Sequence, residues 1–152
     1  DLIAAFSEVP GVEVVHCGNW PTDLNPRKVR LLGMKPASEV AEVFAGCHIF
    51  LHPAVKDPCP NAVFEAICAG LPVIYNADPG SSAEIVGPNG FALDESNLRA
   101  TAETARARLA ELRLLVSRNR DYYTIQRAAR QYLAAFDTLA GDHNVRASNP
   151  QP

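Results

Sequence analysis

Two rhythms of apolar and polar positions run along this chain. Short apolar runs rich in β-branched residues recur at 12–17, 29–32, 49–51 and 73–75. They are too uniformly apolar for half-exposed strands, which alternate, and so they predict a sheet covered on both faces. Helical patterns lie between them, at 2–9, at 36–46 with Pro36 near the start, and at 61–70 with Gly70 at the stop. Proline fits the first turn of a helix and glycine its end. Strand and helix in alternation predict an α/β fold built on a parallel, doubly wound sheet.

In the last third the period changes. Leu98, Ala102, Ala105, Leu109, Leu112 and Val116 recur at steps of three and four against arginines and glutamates, which predicts one long amphipathic helix. After a break at 117–121, Ile125, Ala129, Tyr132, Phe136 and Leu139 form a second stripe. Both stripes read as packing surfaces. Residues 1–140 read as one domain without an internal repeat, and periodicity is lost beyond Gly141, so a frayed tail is expected over 141–152.

Composition narrows the function classes. With 152 residues, 47% of them hydrophobic, the chain can bury a real core. A formal net charge of −3 gives no electrostatic footprint for nucleic acid. Most of the lysines and arginines sit on the C-terminal helical patterns, as solvated faces. No apolar stretch approaches the roughly eighteen residues of a membrane span. The first residues lack the charged start and cleavage site of a signal peptide, and a cytoplasmic location is the expectation. Cys17, Cys47, Cys59 and Cys68 show no C-x-x-C spacing, and Cys17, Cys47 and Cys68 lie in apolar surroundings, so reduced, buried thiols are expected. His48 and His52 have the four-residue spacing that pairs metal ligands on a helix, but their stretch reads as a strand. No metal and no cofactor are expected.

The densest chemistry lies in the run from Asp57 to Ile74, which reads as polar loop, helix, tight turn and strand. Asp57 falls in the loop and Glu65 about one turn into the helix. Parallel doubly wound sheets bind ligands outside the carboxyl ends of their strands, where loops enter helix N-termini. The backbone N–H groups of Asn61, Ala62 and Val63 are the orphans of this helix start, suited to a phosphate or a polarised sugar hydroxyl. Asp57 and Glu65 are then acceptors, and a carboxylate grips a vicinal diol with two charge-assisted hydrogen bonds. Asp57 could equally be a turn-forming aspartate before Pro58, and Glu65 a solvent-facing helix residue.

These residues resemble a known family. His52-Pro53-Ala54, Asp57-Pro58-Cys59-Pro60-Asn61-Ala62-Val63-Phe64-Glu65-Ala66, Ala69-Gly70-Leu71-Pro72-Val73-Ile74 and Gly80-Ser81-Ser82-Ala83-Glu84-Ile85-Val86 look like the donor-binding, C-terminal half of group-one retaining glycosyltransferases of the GT-B fold, a Rossmann-like domain. The likeness runs from about Asp1 to Phe136. It implies a domain that takes a UDP-, GDP- or ADP-sugar and passes the sugar to an acceptor with retention. In the family a Glu, seven residues and a second Glu frame the donor. Asp57, one methylene shorter, would take the catalytic place on the sugar hydroxyls, and Glu65 would hold the ribose. Backbone groups of Pro60, Asn61, Ala62 and Val63 would touch sugar and phosphate. Gly33, Met34 and Lys35 match the turn that lines the base, and Gly80 and Ser81 the glycine-rich turn after the next strand. Glu84 is either part of that turn's site or a first-turn helix carboxylate favoured by the dipole.

The likeness also implies what stands outside the chain. The family's donor half opens with a strand and a loop bearing cations for the diphosphate, and its acceptor lies on a separate N-terminal domain. Asp1 to Phe6 resembles the helix after that loop, so the chain is expected to be part of a larger enzyme, inactive alone, and peripheral at a membrane only through the facing domain. Arg27 and Lys28 precede their strand and lie at its wrong end to replace those cations. Two rival readings stay open: a GT-B-fold sugar-nucleotide epimerase, and a non-catalytic module that binds a nucleotide sugar or a partner.

Overall fold

A computed structural model of the chain describes residues 2–20, 29–77 and 80–147. Arg27 and Lys28 lie outside the described residues. Contacts divide the chain into two units, Asp1–Arg120 and Asp121–Pro152.

In the first unit the elements are α1 (Leu2–Ser7), β1 (Val14–His16), β2 (Val29–Leu31), α2 (Ala37–Ala45), β3 (Phe50–His52), α3 (Asn61–Cys68), β4 (Val73–Tyr75), α4 (Ser82–Val86), a 3-10 turn (Gly87–Asn89), β5 (Gly90–Ala92) and α5 (Leu98–Asn119). The alternation expected from the apolar runs is there. Every pairing is parallel: β1 with β2, and β3 with β4 with β5, in register Phe50–Val73–Gly90, Leu51–Ile74–Phe91 and His52–Tyr75–Ala92. The fold is an α/β, Rossmann-like arrangement of parallel strands and long helices, but the strands form two separately paired sheets, β1-β2 and β3-β4-β5.

Helices cover both faces because neighbouring strand residues point to opposite sides. Ile74 faces a cluster with Phe6 and Val9, from α1 and the turn after it, Leu93 after β5, and Ala102 and Ala105 of α5; Val14, Leu51 and Phe91 pack against it. Phe44 of α2 meets Phe50 edge-on, with 5.7 Å between ring centroids, so α2 lies on the Phe50 face. Val63, Ala66 and Ile67 of α3, Val73 of β4 and Val86 of α4 have no more than a trace of exposed surface. At Gly90 a Cβ would overlap the Val73 carbonyl and crowd Val86. Glycine is what lets β5 pair this closely over α4.

The stripe predicted for α5 is the one that packs: Ala102, Ala105, Leu112 and Val116 are buried, Leu98 and Leu109 half-buried. Its start is capped by Asn97, whose side chain accepts the Ala100 N–H at 3.0 Å. The expectation of buried thiols fails in part. Cys17 and Cys47 are half-buried, whereas Cys68 lies exposed on the outer face of α3; none of the four is in a disulfide. Strand β5 has no counterpart among the sequence-predicted elements.

The second unit holds the end of a 3-10 turn (Arg120–Tyr123) and one helix, α6 (Ile125–Ala147), which continues through Gly141 where the sequence periodicity ends. Its second stripe is a line of exposed residues, Ile125, Tyr132, Phe136 and Leu139. Tyr132 and Phe136 stack along it at 6.4 Å. The Arg127 guanidinium lies over the Tyr122 ring at 4.0 Å, a cation–π pair at the helix start. No helix among the described residues is long and apolar enough to cross a membrane.

Candidate functional site

The carboxyl ends of β1 and β3 open on one cavity of about 1090 Å³. Its rim is formed by His16, Cys17 and Gly18 after β1, Met34 and Lys35 after β2, His52 and Pro53 after β3, and Ala62 and Glu65 on α3. This is where an open parallel sheet places its ligand.

Helix α3 enters from a loop stiffened by Pro53, Pro58 and Pro60. Pro60 is its N-cap and no side chain caps it, so the terminus keeps its N–H groups for other acceptors. One of the three expected orphans is taken: the Val63 N–H donates to the Pro60 carbonyl at 3.0 Å, and the Val63 side chain is wholly buried in the core. The terminus therefore offers Asn61 and Ala62. Glu65 stands one turn further on, exposed, with no side-chain partner among the described residues. Ala62 and Glu65, three apart, share the helix face that lines the cavity.

Asp57 is placed differently. Its Oδ1 accepts the Cys59 N–H at 3.1 Å, closing a turn over Pro58. Its Oδ2 lies 3.8 Å from Nε2 of His52, beyond hydrogen-bond distance. His52 is 7% exposed, and that nitrogen has no hydrogen-bond partner. Burial holds the imidazole below its ordinary pKa, with Asp57 pulling weakly the other way. It is therefore neutral near pH 7, and no ion pair forms there. In the sequence His52 stands only as a strand residue opening the His52-Pro53-Ala54 stretch, with no role at the site, because its burial beside Asp57 depends on the loop folding back over the end of β3.

Gly80 and Ser81 hold this loop. The Ser81 N–H donates to the Asp57 carbonyl at 3.2 Å, and its hydroxyl donates to the Pro58 carbonyl at 2.6 Å. A Cβ at Gly80 would stand 3.0 Å from the Asp57 carbonyl oxygen, so a side chain there would require the Asp57 backbone to give by a few tenths of an ångström. Glu84, on the short helix α4, is exposed.

Across the cavity, Gly33 adopts a φ of +68° and its carbonyl accepts the Gly18 N–H at 2.9 Å, tying the two loops together. Met34 is 70% exposed. The Lys35 ammonium donates to Glu39 at 2.7 Å, which raises its pKa and keeps it charged. Of the sequence-predicted site residues, the cavity thus gathers Met34, Lys35, Ala62 and Glu65 on one rim. Asp57, Pro60, Asn61, Val63, Gly33, Gly80 and Ser81 shape the loops behind it without lining it. Among the described residues no cluster of His, Cys, Asp or Glu could hold a metal.

A comparison with curated proteins returns no match. A comparison with family models matches residues 2–111 to the family described as glycosyl transferases, group 1. That span runs from α1 into α5 and includes both halves of the cavity rim, and the chain belongs to the group 1 glycosyl transferases.

Proposed function

We propose that this chain is the donor-nucleotide-binding, C-terminal half of a GT-B-fold transferase that moves a sugar from a nucleotide sugar to an acceptor with retention. The observation that carries this reading is the cavity rim. It sets a helix N-terminus without a side-chain cap and a Glu65 carboxylate without a partner among the described residues on one side, opposite the Gly33–Lys35 turn. Glu65 suits the ribose diol, which needs a charged acceptor. The Asn61 and Ala62 N–H groups suit a phosphate oxygen. The turn at Gly33, Met34 and Lys35, with Gly33 and Met34 exposed, suits the base. Asp57 keeps Oδ2 for a sugar hydroxyl, and a hydroxyl placed between Oδ2 and Nε2 of His52 would satisfy both. The acceptor would be held by a facing domain.

Calorimetric titration with UDP, GDP and ADP tests this. One of the three binds, and Glu65→Ala weakens it roughly 10- to 150-fold, the equivalent of about 1.5–3 kcal/mol for a lost charged hydrogen-bond acceptor. Equal binding by the variant, or none of the three binding, overturns it.

One observation favours a second reading, a nucleotide-sugar-binding module without catalysis: Asp57 spends one oxygen on its own turn and Ser81 spends its hydroxyl on Pro58. It predicts nucleotide binding that Asp57→Asn leaves unchanged, and no sugar transfer by the full enzyme.

A further inference from the structure

Ser81 stands at the N-cap of α4, the position where a serine hydroxyl ordinarily accepts a backbone N–H of its own helix. Here it makes no such cap. The hydroxyl reaches instead to the loop between β3 and α3 and donates to the Pro58 carbonyl at 2.6 Å, with the Asp57 carbonyl 3.4 Å from the same oxygen. The Ser81 N–H donates to that Asp57 carbonyl at 3.2 Å. One residue thus clasps two successive carbonyls that lie 24 and 23 residues earlier in the chain.

The clasped loop carries two signs of tension. Lys56 has a φ of +58° and is the one non-glycine among the described residues in the left-handed region, which a lysine adopts only where its surroundings dictate it. The second sign is an unmade hydrogen bond. Oδ2 of Asp57 stops 3.8 Å from Nε2 of His52, a buried nitrogen without a partner. With the proton on Nε2, a further approach of ~0.8 Å would bring the pair to hydrogen-bond distance and satisfy a buried group that is costly to leave unpaired. An aspartate has a single methylene between backbone and carboxylate, so its backbone decides where the carboxylate stands. With Oδ1 fixed on the Cys59 N–H, a loop clasped by Ser81 leaves Oδ2 short of His52.

We propose that Ser81 is a positioning residue for the sugar-binding carboxylate: its clasp on the Asp57 and Pro58 carbonyls holds Oδ2 of Asp57 off His52 and keeps it as an acceptor for a hydroxyl of the donor sugar. The place of the sugar rests on the donor-site reading above, whereas the clasp is a property of the protein without ligand. When the Ser81 hydroxyl is removed, the loop relaxes at Lys56, Asp57 closes on His52, and the acceptor is used up inside the protein. Glu65 lies on α3, outside the clasped loop, and keeps its place on the cavity rim.

Two measurements on the whole chain test this with Ser81→Ala, using Ser81→Thr as the conservative control. The first needs no ligand. Asp57 is the charged group that pulls the His52 pKa up against its burial. Closure of the pair in Ser81→Ala therefore moves the His52 titration, followed by its ring-proton NMR shifts, to higher pH, and Ser81→Thr leaves it at the parental value. A general loss of stability would not move the titration of the folded protein. The second measurement compares UDP, GDP and ADP, by calorimetry, with their glucose, galactose, mannose and N-acetylglucosamine derivatives. The parent binds one nucleotide sugar more tightly than the bare nucleotide. Ser81→Ala loses that gain, about tenfold or more for a charged hydrogen bond, and keeps its affinity for the nucleotide; Ser81→Thr regains the difference. Where Ser81→Ala does not fold, Lys56→Val decides on the same two readouts, since a β-branched residue resists the left-handed backbone and leaves the hydroxyl untouched; Lys56→Gly should change neither. The proposal fails if the His52 titration stays put in Ser81→Ala, if nucleotide and nucleotide sugar lose affinity together, or if no sugar adds to the parent's binding. Binding of none of the nucleotides overturns the donor-site reading and the sugar's place with it, whereas an unmoved His52 in a protein that binds nucleotide overturns the clasp alone.

Discussion

At the scale of single residues, the arrangement around Asp57 sets two expectations. His52 is buried and neutral, with its pKa pushed down mainly by that burial. The unfolded chain therefore takes up a proton near the ordinary value of 6.5 while the folded chain does not. The unfolded state binds more protons in that window, so stability is full above pH 6.5 and falls as the pH drops toward the folded pKa. Urea midpoints at successive pH values should show this loss, and His52→Asn should flatten it; an unchanged slope would put the titration elsewhere. Gly80 is the second case. A Cβ 3.0 Å from the Asp57 carbonyl and 3.2 Å from its nitrogen meets backbone, which cannot rotate away. Gly80→Ala should cost about 1–3 kcal/mol, the usual range for overpacking, and loosen the Asp57 turn, read as faster exchange of the Ser81 and Cys59 amides.

The elements differ in how plainly the residues announce them. The stripe from Leu98 to Val116 names α5 because steps of three and four hold over five turns or so, and the residues it names are those that pack. Strand β5 is three residues, Gly90–Ala92, entered from a Gly-Pro-Asn turn. Nothing in so short a run distinguishes strand from loop, and its pairing with β4 is what makes it one. The site divides the same way. The uncapped start of α3 and the exposure of Glu65 follow from local order, Pro60 and then the helix period. The stitching of Ser81 to a loop 23 residues earlier, and the burial of His52 under that loop, are tertiary events with no local signal. Gly90 makes the point testable. Its Cβ would overlap the Val73 carbonyl, so Gly90→Ala must push β5 off β4. Loss of slow exchange at Phe91 together with a clear drop in the urea midpoint is the expected result, and a variant as stable as the parent would contradict the register.

Over the molecule as a whole, the rim of the cavity spans the gap between the two separately paired sheets. The rim draws its residues from both separately paired sheets, His16 to Lys35 on one side and His52 to Glu65 on the other. A donor nucleotide bound there would touch both pieces, and anything that binds only the folded state stabilises it by mass action. At about one hundred times Kd the gain is about 2.7 kcal/mol. For a chain of this size each kcal/mol moves Tm by roughly 2–4 °C, so a rise of about 5–11 °C is expected. Glu65→Ala, exposed and away from the core, should leave the Tm of the free protein within about 1 °C, as surface changes do, while losing most of the nucleotide-induced rise at the same concentration. The contrast separates the roles: a residue that only supported the helix would lower the free Tm, whereas one that grips the ligand lowers only the bound one. A rise that survives in the variant would remove Glu65 from the nucleotide site.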